Sequence, residues 1–202
     1  MSAKTLLAAI GFALFSVAAA ATTITFGGLV GANGAPFTTY TESGFTVAPN
    51  VGSLWCEAHL FGNPVPSIFA GTESLCGSPT NTNAVTTTEG GADFAFSSVD
   101  IAANNGDTLF SIVGSLLGSN VFLFSGTVPG HPPGPFSFTT VGSPSGNIDQ
   151  LIITLTTQGT SSNLDNIVLI PGAPLPEPGT IALVGLALVA GLASARRRMR
   201  AR

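Results

Sequence analysis

Turn-forming residues cut residues 22–172 into short runs in which apolar and polar residues alternate. A period of two puts successive side chains on opposite faces of a strand, so each run can bury one face. Runs 22–29 (TTITFGGL), 53–61 (SLWCEAHLF), 84–88, 93–101 (DFAFSSVDI), 108–116 (TLFSIVGSL), 121–126 (VFLFSG), 136–141, 148–156 (IDQLIITLT) and 164–170 (LDNIVLI) read as strands. Run 38–47 (TTYTESGFTV) reads as two strands about a Ser43-Gly44 turn. Gly90-Gly91 predicts a hairpin between 84–88 and 93–101, and Gly118-Ser119-Asn120 predicts a second between 108–116 and 121–126. The Pro-rich stretch 126–135 reads as an exposed loop. No segment carries a helical period bounded by caps, and no internal repeat is seen. About ten short strands at close spacing predict an all-β fold, a β-sandwich.

Charge narrows the choice of partners. Only 8% of the 202 residues are charged, against about 25% in ordinary soluble domains. Every basic residue is terminal: Lys4 at one end, and Arg196, Arg197, Arg198, Arg200 and Arg202 at the other. The stretch between holds Glu42, Glu57, Glu73, Glu89, Asp93, Asp100, Asp107, Asp149 and Asp165, with only His59 and His131 able to become positive. Nucleic acid is excluded as a partner, because phosphate binding needs Lys and Arg to displace counterions. Apolar burial and backbone hydrogen bonds, rather than ion pairs, are expected to hold this fold.

The two ends read as addresses. Residues 1–21 (MSAKTLLAAIGFALFSVAAAA) place one cation before a short apolar run and then a small-residue cleavage stretch, the pattern of a signal peptide cut after Ala21. The expected partners there are the Sec translocon and signal peptidase. At the other end, Pro174, Pro176 and Pro178 hold the chain extended, as a processing enzyme's cleft requires. Residues 180–195 are apolar or small and uncharged, a transmembrane helix if the flanking arginine stems snorkel to the interface. Arg196, Arg197, Arg198 and Arg200 then form the cytoplasmic anchor by the positive-inside rule, which leaves 22–178 on the outer side of the inner membrane.

Pro176-Glu177-Pro178, then Gly179-Thr180, an apolar helix and an Arg-rich end resemble the PEP-CTERM sorting domain of Gram-negative bacteria. The resemblance covers only the tail, 173–202, and Gly179 stands where relatives often have Ser or Ala. It implies an exosortase as partner, an integral-membrane cysteine transpeptidase-like enzyme that cuts near the Pro-Glu-Pro. It also implies transient membrane anchoring, then release or attachment at the cell surface or in an exopolysaccharide matrix. A looser resemblance, of strand rhythm alone, is to the jelly-roll sandwich of galactose-binding-like domains.

Within 22–172 the chemistry-bearing residues are few. Cys56 and Cys76 are the only cysteines, and an even pair in an exported chain reads as a disulfide. Trp55 and Tyr40, each the sole residue of its kind, are candidates for stacking on a sugar ring. Against that, Trp55 is expected to pack over the neighbouring disulfide in the core. His59 and His131 sit in no zinc-ligand spacing, so no metal is assigned, although Glu42, Asp149 and Asp165 are weak candidates for a structural calcium ion. No catalytic motif is present: no G-x-S-x-G, no HExxH, no P-loop. The expectation is a non-catalytic structural or interaction protein without a cofactor. A carbohydrate-binding module on the same scaffold is the alternative, and a secreted hydrolase with two converging carboxylates ranks third.

Overall fold

A computed structural model describes residues 20–59, 66–71, 76, 81–131, 137–144 and 146–172. The first nineteen residues, the expected transmembrane segment, the Pro176-Glu177-Pro178 motif, the expected arginine anchor and the proline-rich 132–136 lie outside the described residues. Among those described, no helix is long and apolar enough to cross a membrane.

Among the described residues, thirteen strands form two sheets. In chain order they are β1 (Thr22–Ile24), β2 (Pro36–Phe37), β3 (Tyr40–Glu42), β4 (Phe45–Pro49), β5 (Trp55–Ala58), β6 (Ser67–Gly71), β7 (Thr82–Thr88), β8 (Phe94–Asn104), β9 (Thr108–Leu116), β10 (Ser119–Val128), β11 (Thr139–Gly142), β12 (Gln150–Thr157) and β13 (Ser161–Pro171). One sheet, A, runs β11-β8-β13-β6-β5-β2, with β1 beside the second half of β13; the other, B, runs β10-β9-β12-β7-β4-β3. All strand pairs are antiparallel. The fold is therefore the all-β sandwich that the alternation predicts.

Runs 148–156 and 164–170 become β12 and β13, each interior to its sheet. Interior strands must satisfy ladders on both sides and bury a face, which is why apolar branched residues fill them. From β12, Leu151, Ile153 and Leu155 point inward; from β13, Leu164, Ile167 and Leu169 do the same. Trp55, Phe26, Phe45, Phe94 and Phe96 complete the layer between the sheets. Phe45 and Phe94 meet edge to face across it, centroids 5.3 Å apart.

Three local expectations are corrected. The Gly90-Gly91 turn is real, with both residues at positive φ and a single Glu89–Ala92 bridge closing it. Yet β7 belongs to sheet B and β8 to sheet A, so the turn is a crossing between sheets and not a hairpin. The second hairpin forms, but its turn is Leu117-Gly118, both at positive φ, and Ser119 and Asn120 already pair in β10. The Ser43-Gly44 turn joins β3 to β4 as predicted, again with both φ positive. Residues 67–71, outside every run read as a strand, form β6. β6 is buried on both faces, so its residues show no alternation to detect.

Candidate functional site

The outer face of sheet A holds the polar chemistry. On β8, Val99, Ile101 and Ala103 face the core, so Asp100 and Asn104 face outward. On β13, Leu164 and Ile167 face the core, and Ser161, Asn163 and Asp165 face outward. Asp165 stands opposite Asp100 in the ladder, and Ser161 opposite Asn104. The register then slips between Asp165 and Val168, where Asn166 adopts φ +44°. A bulge of this kind inserts one extra residue and turns its side chain. It puts Asp165 and Asn166 consecutively on the same outer face.

These groups form a row of two hydrogen-bonded clusters, side by side along the face. The Asn104 amide Nδ2 donates to Ser161 Oγ at 2.8 Å and to Asn163 Oδ1 at 3.0 Å. Asn163 Nδ2 donates in turn to Ser67 Oγ at 3.2 Å. The Asn166 backbone N–H donates to Asp165 Oδ1 at 2.7 Å, and its side-chain Nδ2 donates to Asp100 Oδ2 at 2.9 Å. The other oxygen of Asp100 accepts from Thr140 Oγ1 at 2.6 Å. Asp165 is 1% exposed. Burial, followed by the nearby Asp100 and Glu42 charges, pushes its carboxyl up to about 7, against the lowering effect of the Asn166 N–H. Asn104 Oδ1 is buried and accepts no hydrogen bond. The row is rich in amide and hydroxyl groups.

The residues singled out from sequence lie elsewhere or act otherwise. Trp55 is 1% exposed, and its Nε1–H donates to the Ala84 carbonyl at 3.2 Å, so its ring offers no face to a sugar. It does not pack over the disulfide either. Successive strand residues point to opposite faces, and Trp55 joins the inter-sheet core while Cys56 joins an outer cluster with Ala58, Phe69 and Cys76. Tyr40 is half-buried with its ring 5.4 Å from that of Phe26, and its hydroxyl accepts from the Gly28 N–H at 2.9 Å. Cys56 and Cys76 form the expected disulfide, Cα atoms 6.0 Å apart, on the outer face of β5.

The calcium candidates are not one site. Glu42 spends both carboxylate oxygens on Thr25 and Phe26: the Thr25 N–H at 2.7 Å, the Thr25 hydroxyl at 2.9 Å and the Phe26 N–H at 3.2 Å. Asp149 accepts the Leu117 N–H at 2.8 Å and so braces the β9–β10 turn. Among the described residues, no three of His, Cys, Asp and Glu converge to hold a metal ion. Glu57 Oε2 and His59 Nε2 meet at 3.0 Å. The same carboxylate oxygen accepts the Gly31 N–H at 2.8 Å. What sequence reasoning missed is the row itself. Asp100 and Asn166 lie in runs read only as strands, Asn104 and Asn163 lie just beyond such runs, and no local pattern marked any of them.

Residues 174–198 match the PEP-CTERM protein-sorting motif. No curated protein matches the chain. Among solved structures, the chain is similar to CBM29_1, a family 29 carbohydrate-binding module from Piromyces equi, at 12% identity over 77% of this chain and 93% of that one, TM-score 0.44. It is similar to the family 32 module of C. perfringens NanJ at 19% identity over 63% and 97%, TM-score 0.41. The K1 cleaved adhesin domain of Lys-gingipain from Porphyromonas gingivalis W83 matches at 12% identity over 76% and 99%, TM-score 0.45. The chain spans 20% of the enzymatically active domain of bacteriophage CBA120 tailspike protein 4, at 18% identity over 64% of this chain, TM-score 0.40.

Proposed function

We propose that this is an exported protein of the cell surface or exopolysaccharide matrix, held briefly in the inner membrane by its tail and cut by an exosortase beside Pro176-Glu177-Pro178. Its β-sandwich acts outside the membrane as a structural or interaction module, without catalysis. The match of residues 174–198 to the sorting motif carries this reading. The composition agrees with it: a domain without Lys or Arg, braced by a disulfide, suits an oxidising compartment. The test is the intact mass of the protein recovered from its host's envelope and medium without reductant. A chain beginning near Thr22 and ending near Pro178, two hydrogens light, is expected. A mass that still includes 181–202 would reduce the tail to a plain anchor and remove the exosortase step.

A second reading, carbohydrate binding, is favoured by the unpartnered Asn104 Oδ1 and the amide and hydroxyl chemistry around it; Asn104 and Asn163 are 4% and 2% exposed, so a sugar reaches them only by displacing what covers them. Stacking by Trp55 plays no part in it, because that ring is buried. Pull-down of the full chain on the host's own polysaccharide should then succeed and weaken with Asn163→Ala. Equal retention of both chains would dismiss the row as the binding surface.

A further inference from the structure

Sheet edges expose unpaired backbone N–H and C=O groups, and folded proteins usually shield them with short strands, charge, proline or bulges. Three of the terminal strands here follow that practice. Sheet A ends in β11, of four residues, and β2, of two; sheet B ends on one side in β3, three residues that include Glu42. The fourth, β10, does not. It is ten residues long and among the described residues pairs only with β9. Its register shifts once, between Asn120 and Phe122, and then runs unbroken from Phe122 to Val128. No charged residue and no proline interrupts the chain from Thr108 to Val128.

Two further observations set this edge apart. Val121, Leu123, Ser125 and Thr127 are all exposed. Of the eight exposed large hydrophobic residues, Leu109, Leu117, Val121 and Leu123 all belong to the β9–β10 hairpin, and Leu123 is 63% exposed. The surrounding domain is acidic and has no Lys or Arg to offset its carboxylates. Two copies meeting through most other surfaces would bring like charges together. β10 itself carries no charge, and the nearest carboxylates, Asp149 at the turn and Asp107 beside Gly130, lie at its two ends. An antiparallel edge is also self-complementary under a two-fold axis, since each strand presents the same donor and acceptor pattern to its copy.

We propose that β10 is a homotypic docking edge, through which two copies of this chain pair antiparallel and join their six-stranded sheets into one continuous sheet. This does not depend on the export route or on any sugar ligand. The full chain in detergent should show a protein mass by light scattering that rises to twice the single-chain value with concentration. Amide hydrogen exchange across 122–128 should slow in step. Leu123→Glu, and separately Thr127→Glu, should hold the protein at the single-chain mass, whereas Thr154→Glu, on the same face two strands inward, should not. A single-chain mass at every concentration would overturn the proposal. So would a dimer whose β10 amides gain no protection, one indifferent to Leu123→Glu and Thr127→Glu, or one that Thr154→Glu disrupts as fully.

Discussion

Asp165 shows how one residue can couple a fold to pH. Its ordinary carboxyl value is near 4 (about 3.9), and in the folded chain it stands at about 7. Burial beside Asp100 makes the charged form costly, so the folded state holds the proton more tightly than the unfolded chain does. The stability gained from that proton is complete below the unfolded value and is lost as pH rises from about 4 through about 7. Burial raises the Glu89 carboxyl as well, in the same direction. The urea midpoint should therefore be higher at pH 5 than at pH 8. Asp165→Asn keeps an acceptor for the Asn166 N–H but cannot ionise, so it should flatten much of that difference. An unchanged pH dependence in the variant would place the effect elsewhere. The local sequence Leu164-Asp165-Asn166 gave no warning of this. Only the cross-strand register sets the two carboxylates face to face.

At the scale of elements, the β9–β10 hairpin is held by two reciprocal pairs. Gly114 lies opposite Phe122, and Gly126 opposite Phe110. Each ring covers the partner glycine: a Cβ on Gly126 would come within 2.8 Å of Phe110 Cζ, and one on Gly114 would meet the Phe122 ring head on. Gly114→Ala must displace Phe122 from the core, and such overpacking costs about 1–3 kcal/mol. A lowered urea midpoint at constant m-value would register it; no change would mean the ring moves freely. The disulfide works on another element. It closes a separation of 20 residues from β5, and reduction should lower stability by about 3 kcal/mol, mainly through a freer unfolded chain. Thermal unfolding with and without reductant measures this, and equal midpoints would show the bridge to be dispensable. The strands themselves were legible from alternation because each buries one face. β6 was not, because it buries both and so loses the period of two.

Across the whole molecule, charge is arranged for repulsion. The described domain carries carboxylates with no Lys or Arg among them, and the carboxylate–imidazole contact there is Glu57 with His59. Added salt therefore has little attraction to screen and much repulsion to relieve, as the screening length falls from about 30 Å at 0.01 M to about 10 Å at 0.1 M. Raising sodium chloride across that range should raise the melting temperature. A fall would mean that attractive pairs outweigh the net charge.

The linear chain determined everything that local chemistry can carry: the strand periods, the Ser43-Gly44 turn, the disulfide between the only two cysteines, and the ordered parts of the sorting tail. Each depends on residues near one another in sequence or on a count that allows one solution. The tertiary structure alone decided which strands pair. Gly90-Gly91 became a crossing because β8 found its partners in β13 and β11, far along the chain. It decided that Trp55 faces the core and its neighbour Cys56 the outer surface. It gathered Asp100, Asn104, Asn163 and Asp165 into one row and left β10 as an unshielded edge. Pairing between distant strands sets register, and register decides which polar groups meet; no local pattern encodes it.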